Sequence, residues 1–251
     1  MAVRLMPRDM TALTILAENY GAPIDLVAEM LGVSMPRAYS LERRWREAGM
    51  VNQHRIRPVP GPHWVFPRRS AAEALLGFPV YRHWIPTAKM ADHVATVLRV
   101  RLGLVGLDLD RWIGERQLRA EVGPVKFGEK RQHIHDGRYI NADGELWAVE
   151  VELTPKSPTY AARAFHAAWH AARKAECAGL AYYCRGEAVK NVIRQVGNDF
   201  VTRYRADFDQ GPKVKLFSLN LFEDTATRTT ATGRPDLRVI DGGTAAERPA
   251  L

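Results

Sequence analysis

The stretch that most limits what this chain can fold into is residues 133–157, HIHDGRYINADGELWAVEVELTPKS. Two strand-like runs, 133–141 and 145–154, flank a turn-like Asn141-Ala142-Asp143-Gly144. Residues two apart on a strand share a face, so Glu150 and Glu152 project together while Val149, Val151 and Leu153 face the other way. Asp136 lies on the preceding run. Carboxylates gathered from neighbouring strands are a donor set for a divalent cation such as Mg2+, and Lys156 follows within reach. The same acids would also suit an exposed sheet face on which they pair with Arg138 or Lys156. The pair His133-x-His135 shares a face with zinc-like spacing, but Asp136 points the opposite way and no other His or Cys is nearby.

The segments around this stretch predict a sheet with helices on its faces. An amphipathic helix over 87–102 carries Met90, Val94, Val97, Leu98 and Arg101 down one side, with His93 beside them. Strands are expected at 117–122, 133–141 and 145–154, then a helix at 159–177, a strand at 180–185, a helix from 187 to at least 196 and a strand at 214–221. Glu115 and Glu121 are further candidate ligands near the first of these strands. His166 and His170 lie one helical turn apart, but without the Glu of a metalloprotease motif. Residues 223–251 lack apolar periodicity and are expected to form a disordered tail.

The first eighty residues have a different character. Helices are expected over 9–20, 24–31 and 34–48, with Gly21, Gly32 and Gly49 as stops and Ser34 as an N-cap. That is the grammar of a helix-turn-helix. In the third helix Ala38, Leu41, Trp45 and Ala48 form the inward stripe. Arg37, Ser40 and Arg44 fall on one outward line suited to a DNA major groove, with Tyr39 on the same outward side, and Arg43 and Arg46 suit phosphates. Runs at 50–56 and 63–67 around a Pro-rich turn suit the wing of a winged helix, with Arg55 and Arg57 near its tip. A short helix at 71–76 and a linker to residue 86 follow. Residues 1–80 thus read as a winged helix-turn-helix domain and 87–222 as a second, α/β domain.

Charge supports an anionic partner. The chain carries a formal charge of +8 over 251 residues, and residues 1–86 contain eleven Arg, no Lys and seven acids. Nucleic acid is the first candidate. Cys177 and Cys184 are the only cysteines, which argues against a disulfide framework or a cysteine zinc site and fits a reducing cytoplasm. No apolar run reaches membrane-spanning length, so no membrane partner is expected, and the first ten residues lack the apolar core of a signal peptide.

The αβββαβ order, with acids on the second and third strands, is similar to the PD-(D/E)XK (restriction-endonuclease-like) nuclease superfamily. From the first helix to about residue 198 the chain also resembles the replication-relaxation family of actinobacterial plasmid and integrative-element proteins. The residues that carry this are the helix-turn-helix segment, the helix with His93, Glu115 in WIGERQLR, Asp136-Gly137, and Glu150-Val151-Glu152 followed by Thr154. The resemblance implies a protein that binds double-stranded DNA in plasmid or mobile-element replication, relaxation or transfer. Its enzymatic form would be a Mg2+-dependent nickase or endonuclease, with Asp136, Glu150 and Glu152 on the metal and Lys156 on phosphate or water. Two departures stand out: His135 precedes the Asp where that family has Pro, and Glu152 occupies the place of the nuclease Lys. The alternative is a non-catalytic regulator or accessory factor whose degenerate nuclease fold serves dimerisation. A homodimer is the expected assembly for reading a palindrome.

Overall fold

The computed structural model describes residues 4–80, 84–124, 128 and 132–220, so the expected tail at 223–251 lies outside the described residues. Three helices open the chain, α1 (Pro7–Glu18), α2 (Ile24–Leu31) and α3 (Met35–Glu47). Gly32 ends α2 in the left-handed conformation at φ 57°, and Ser34 stands at the N-cap of α3 without a side-chain capping bond. Two short strands, β1 (Ala22–Pro23) and β2 (Trp64–Val65), pair antiparallel, and bridges Val51–Pro67 and Ile56–Trp64 bring the 50–67 segment back onto them. Helix α4 (Arg69–Leu76) then packs its Ala72 against Ala17 of α1.

The second part is a mixed α/β arrangement in three layers. Its sheet has the order β3 (Trp112–Gly114), β4 (Gly137–Ile140), β5 (Leu146–Glu152), β6 (Gly179–Cys184), β7 (Lys213–Ser218). The first two pairings are antiparallel and the last two parallel. Helix α5 (Ala88–Val105) covers one face; α7 (Pro158–Lys174) and α8 (Gly186–Arg203) cover the other. Strand alternation decides which side chain meets which layer. Val149, Val151, Ala181 and Tyr183 pack toward α5, whereas Ala148, Leu180, Tyr182 and Cys184 pack toward α7 and α8. Trp112 lies so close to β4 that a Cβ on Gly137 would sit 2.2 Å from its ring, which excludes any side chain there. Both cysteines are free and buried. Among the described residues, no helix is long and apolar enough to cross a membrane.

The sequence places most of these elements, with three corrections. Residues 117–122 are not a strand: they belong to α6 (Glu115–Val122), and the strand that precedes it is Trp112–Gly114. The reason is local. ERQLRAEV is rich in helix formers, buries only Leu118, and is braced by Arg119 Nε donating to Glu115 at 2.9 Å. Glu115 and Glu121 are therefore helical rather than strand residues. Strand β4 begins only at Gly137, so 133–136 approaches the sheet as an extended arm whose Asp136 N–H donates to the Val149 carbonyl at 3.1 Å. A short α9 (Arg205–Asp209) follows α8. The order αβββαβ runs through α5, β3, β4, β5, α7 and β6, with α6 inserted between the first two strands.

Helix α5 serves two cores at once. Ala91, Val94, Ala95 and Leu98 pack among the apolar residues of α1, α2 and α3, while Val97, Val100 and Val105 pack against the sheet. Polar contacts tie the same junction. Asn19 Nδ2 donates to the Val94 carbonyl at 3.1 Å, and Arg116 donates to the Ala17 carbonyl at 2.9 Å. The guanidinium of Arg101, fully buried on α5, donates to Glu18 at the end of α1.

Candidate functional sites: the third helix and an acidic cleft

Helix α3 is buried on one side through Ala38, Leu41 and Trp45. Arg37, Tyr39, Ser40 and Arg43 lie exposed on the other, and Arg55 and Arg57 are exposed on the following segment. Ser40 donates its hydroxyl to the Pro36 carbonyl at 3.0 Å, and Arg43 makes only a loose 4.0 Å pair with Glu47. The two remaining arginines of the expected outward set are committed inward. Arg44 Nη2 donates to both oxygens of buried Asp9, at 2.7 and 2.6 Å, and Trp45 Nε1 donates to the same carboxylate at 2.9 Å. Burial works against a charged Asp9, but these donors and the Met6 N–H hold its carboxyl below the usual range. Arg46 donates to Glu42, a buried carboxylate that also accepts from His63 Nε2 at 3.0 Å and Arg55 at 3.2 Å. Tyr39 stacks on His63 at 5.7 Å, and the Arg55 guanidinium lies 5.9 Å from the Tyr39 ring centre. Glu42 thus fastens the 51–64 segment to α3. Burial, the largest effect, keeps the His63 imidazole below its ordinary pKa despite Glu42.

The second site is a cleft of about 270 Å3 between β5 and α7, lined by His133, Glu150, Glu152, Lys156, Tyr160 and Arg163 among others. As strand periodicity requires, Glu150 and Glu152 both open into it. Each has a basic neighbour: His133 Nε2 lies 2.7 Å from Glu150, and Lys156 donates to Glu152. Burial pushes the Glu150 carboxyl up to about 7, with Asp136 and Glu152 adding to the rise and His133 opposing it. Burial disfavours a charged His133 as well, but the Glu150 hydrogen bond and charge raise its pKa overall.

Asp136 does not join them. One of its oxygens meets His93 Nε2 at 2.9 Å and the other accepts the Val151 N–H at 2.7 Å. It lines a separate small hollow with His93, Glu115 and Glu18 on the α5 side. Burial opposes a charged His93, but the hydrogen bond and charge of Asp136 raise it to about 9. The three carboxylates are near enough for Asp136 and Glu152 both to act on Glu150, while Asp136 is hydrogen-bonded on the other side of the strand. Among the described residues, the group whose ligand atoms lie within 4.8 Å of one another is His133, His135 and Glu150. The H-x-H spacing is visible in the sequence; its third member comes from β5, which only the strand pairing brings alongside. His93 as the partner of Asp136 is likewise a contact across 43 residues.

The chain matches no family model, no curated protein and no solved structure.

Proposed function

We propose that this chain binds double-stranded DNA, presenting α3 to the major groove and the 51–64 segment as a wing, in plasmid or mobile-element replication, relaxation or transfer. The observation that carries this reading is the outward face of α3. Arg37, Tyr39, Ser40 and Arg43 are exposed on a helix whose opposite side is packed, next to exposed Arg55 and Arg57. A formal charge of +8 supports it. In this reading Arg37 and Ser40 meet base edges, and Arg43 and Arg57 meet phosphates. A two-fold dimer would match a palindromic site.

Fluorescence anisotropy on a labelled duplex tests the reading. Arg37→Ala with Arg43→Ala should weaken binding at least about tenfold and flatten its dependence on salt, since each lost phosphate contact lowers the slope by about 0.9. Unchanged affinity would remove α3 from the interface.

A second reading, nicking of the bound duplex, is favoured by the way Glu150, Glu152 and Lys156 open into one cleft. Supercoiled plasmid with protein and Mg2+ should then relax to open circles, and Glu150→Ala should abolish this. Plasmid that stays supercoiled at excess protein leaves the accessory role, with the α/β part serving dimerisation.

A further inference from the structure

We infer that His133, His135 and Glu150 form a binding site for a nitrogen-preferring divalent cation, Zn2+ before Mg2+, with an open position facing the cleft. This goes beyond the DNA-binding reading and does not depend on it.

The ligand set is the first argument. Two imidazoles and one carboxylate within 4.8 Å of one another can close on a single ion. Zinc binds His and Glu at about 2.0–2.2 Å, and catalytic-type zinc sites keep three protein ligands and one exchangeable position. Mg2+ asks instead for an octahedron of oxygens, and imidazole suits zinc, copper, iron or nickel.

Placement is the second. His133 and His135, two residues apart on the extended arm, direct their rings to the α7 side, where the ring centres are 5.3 Å apart. Glu150 reaches the same side from β5. The arm is held against that strand by the Asp136–Val149 backbone bond and the Gly137–Val149 pairing just beyond. No loop has to fold over to complete the set.

The third argument is how His135 is held. It is fully buried, and its Nε2 lies 3.0 Å from the Ala168 carbonyl of α7. That carbonyl can only accept, so Nε2 carries the proton and Nδ1 keeps its lone pair. A histidine whose other nitrogen donates to a backbone carbonyl is the arrangement metal-ligating histidines show. Arg138 Nε lies 3.5 Å from Nδ1, beyond a good hydrogen bond, and is the contact an ion would displace. The ion would likewise enter between His133 Nε2 and the Glu150 carboxylate, which lie 2.7 Å apart.

The cleft supplies the rest. Lys156 and Arg163 line it, so the open position faces cationic side chains and would take an anionic oxygen, from hydroxide or a phosphate. Glu152 is held by Lys156 and stays outside the ligand set, as does Asp136 on His93 and Val151.

Full-length chain stripped with EDTA and titrated with Zn2+ by calorimetry tests the site, without DNA. One ion per chain is expected, and Co2+ in its place should give the visible absorption of a four-coordinate nitrogen and oxygen site. His133→Ala and Glu150→Gln should each weaken Zn2+ binding by more than about 100-fold, beyond the loss of an outer partner. Asp136→Asn, Glu152→Gln and the surface pair His166→Ala with His170→Ala should leave it nearly unchanged. Absence of stoichiometric Zn2+, a Co2+ complex with only the pale octahedral spectrum, or binding lost with His166 and His170 instead would each overturn the assignment. The Co2+ spectrum needs no variant, so misfolding of one cannot rescue the idea. DNA affinity of the EDTA-treated chain, measured separately, bears only on α3.

Discussion

Replacing Arg101 with Met should cost the fold about 3–5 kcal/mol, the usual penalty for stranding one member of a buried ion pair. The Arg101 side chain is fully buried, its partner Glu18 is 10% exposed, and the guanidinium lies 5.9 Å from the Trp112 ring centre. Among the described residues its Nε and Nη2 have no hydrogen-bond partner, so the main compensation for the buried charge comes from Glu18. Burial lowers the pKa of Arg101 and raises that of Glu18, each against the pull of the other. Met keeps much of the volume and removes the charge, which leaves the mostly buried Glu18 carboxylate without its cation. The double variant Arg101→Met, Glu18→Met should recover most of the loss, because a buried pair exchanged whole for apolar groups is close to neutral. Urea unfolding of the four proteins of this cycle measures the coupling. A single Arg101→Met variant as stable as the parent would mean that the pair contributes nothing to joining α1 to α5.

The second large effect is expected at Glu42. Glu42→Ala should lower stability by about 3 kcal/mol, since Arg46, Arg55 and His63 all lose their acceptor and Arg46 is left mostly buried. Glu42→Gln keeps one acceptor oxygen and should lose less. The damage should be local as well as global. Backbone bonds that tie the 51–64 segment to its surroundings include Ile24 N–H to the His63 carbonyl at 2.9 Å and Asn52 N–H to the Phe66 carbonyl at 2.9 Å, and Trp64 N–H closes the segment on the Ile56 carbonyl at 2.8 Å. In Glu42→Ala, hydrogen exchange at Trp64 and Asn52 should accelerate more than exchange in β6. Equal acceleration everywhere would show that Glu42 supports the fold without specifically holding this segment.

Much of the architecture can be read from the chain, for reasons that are themselves local. Gly32, Gly49 and Gly77 all adopt positive φ where the helical periodicity breaks, so the ends of α2, α3 and α4 are written in single residues. Period-two alternation in 146–152 puts Glu150 and Glu152 on one side, as found. What stays hidden depends on partners distant in sequence. Arg44 sits at the edge of the buried stripe, beside Trp45, and whether it turns out or in is decided by Asp9, 35 residues earlier. Asp136 has the right strand neighbour for a carboxylate cluster, but His93 and the Val151 N–H take its two oxygens. The strand assigned to 117–122 fails because half-polar segments of eight residues fit either period, and helix propensity then decides.

The sharing of α5 between two cores has a geometric consequence. A rod packed on both flanks couples the two cores, because shifting α5 against either one breaks its contacts there. Inserting one residue into α5 would rotate everything after the insertion by about 100° about the helix axis relative to everything before it. One insertion in a single helix would thus put the α5 side chains of the two cores out of step, so the two parts of the fold share one register.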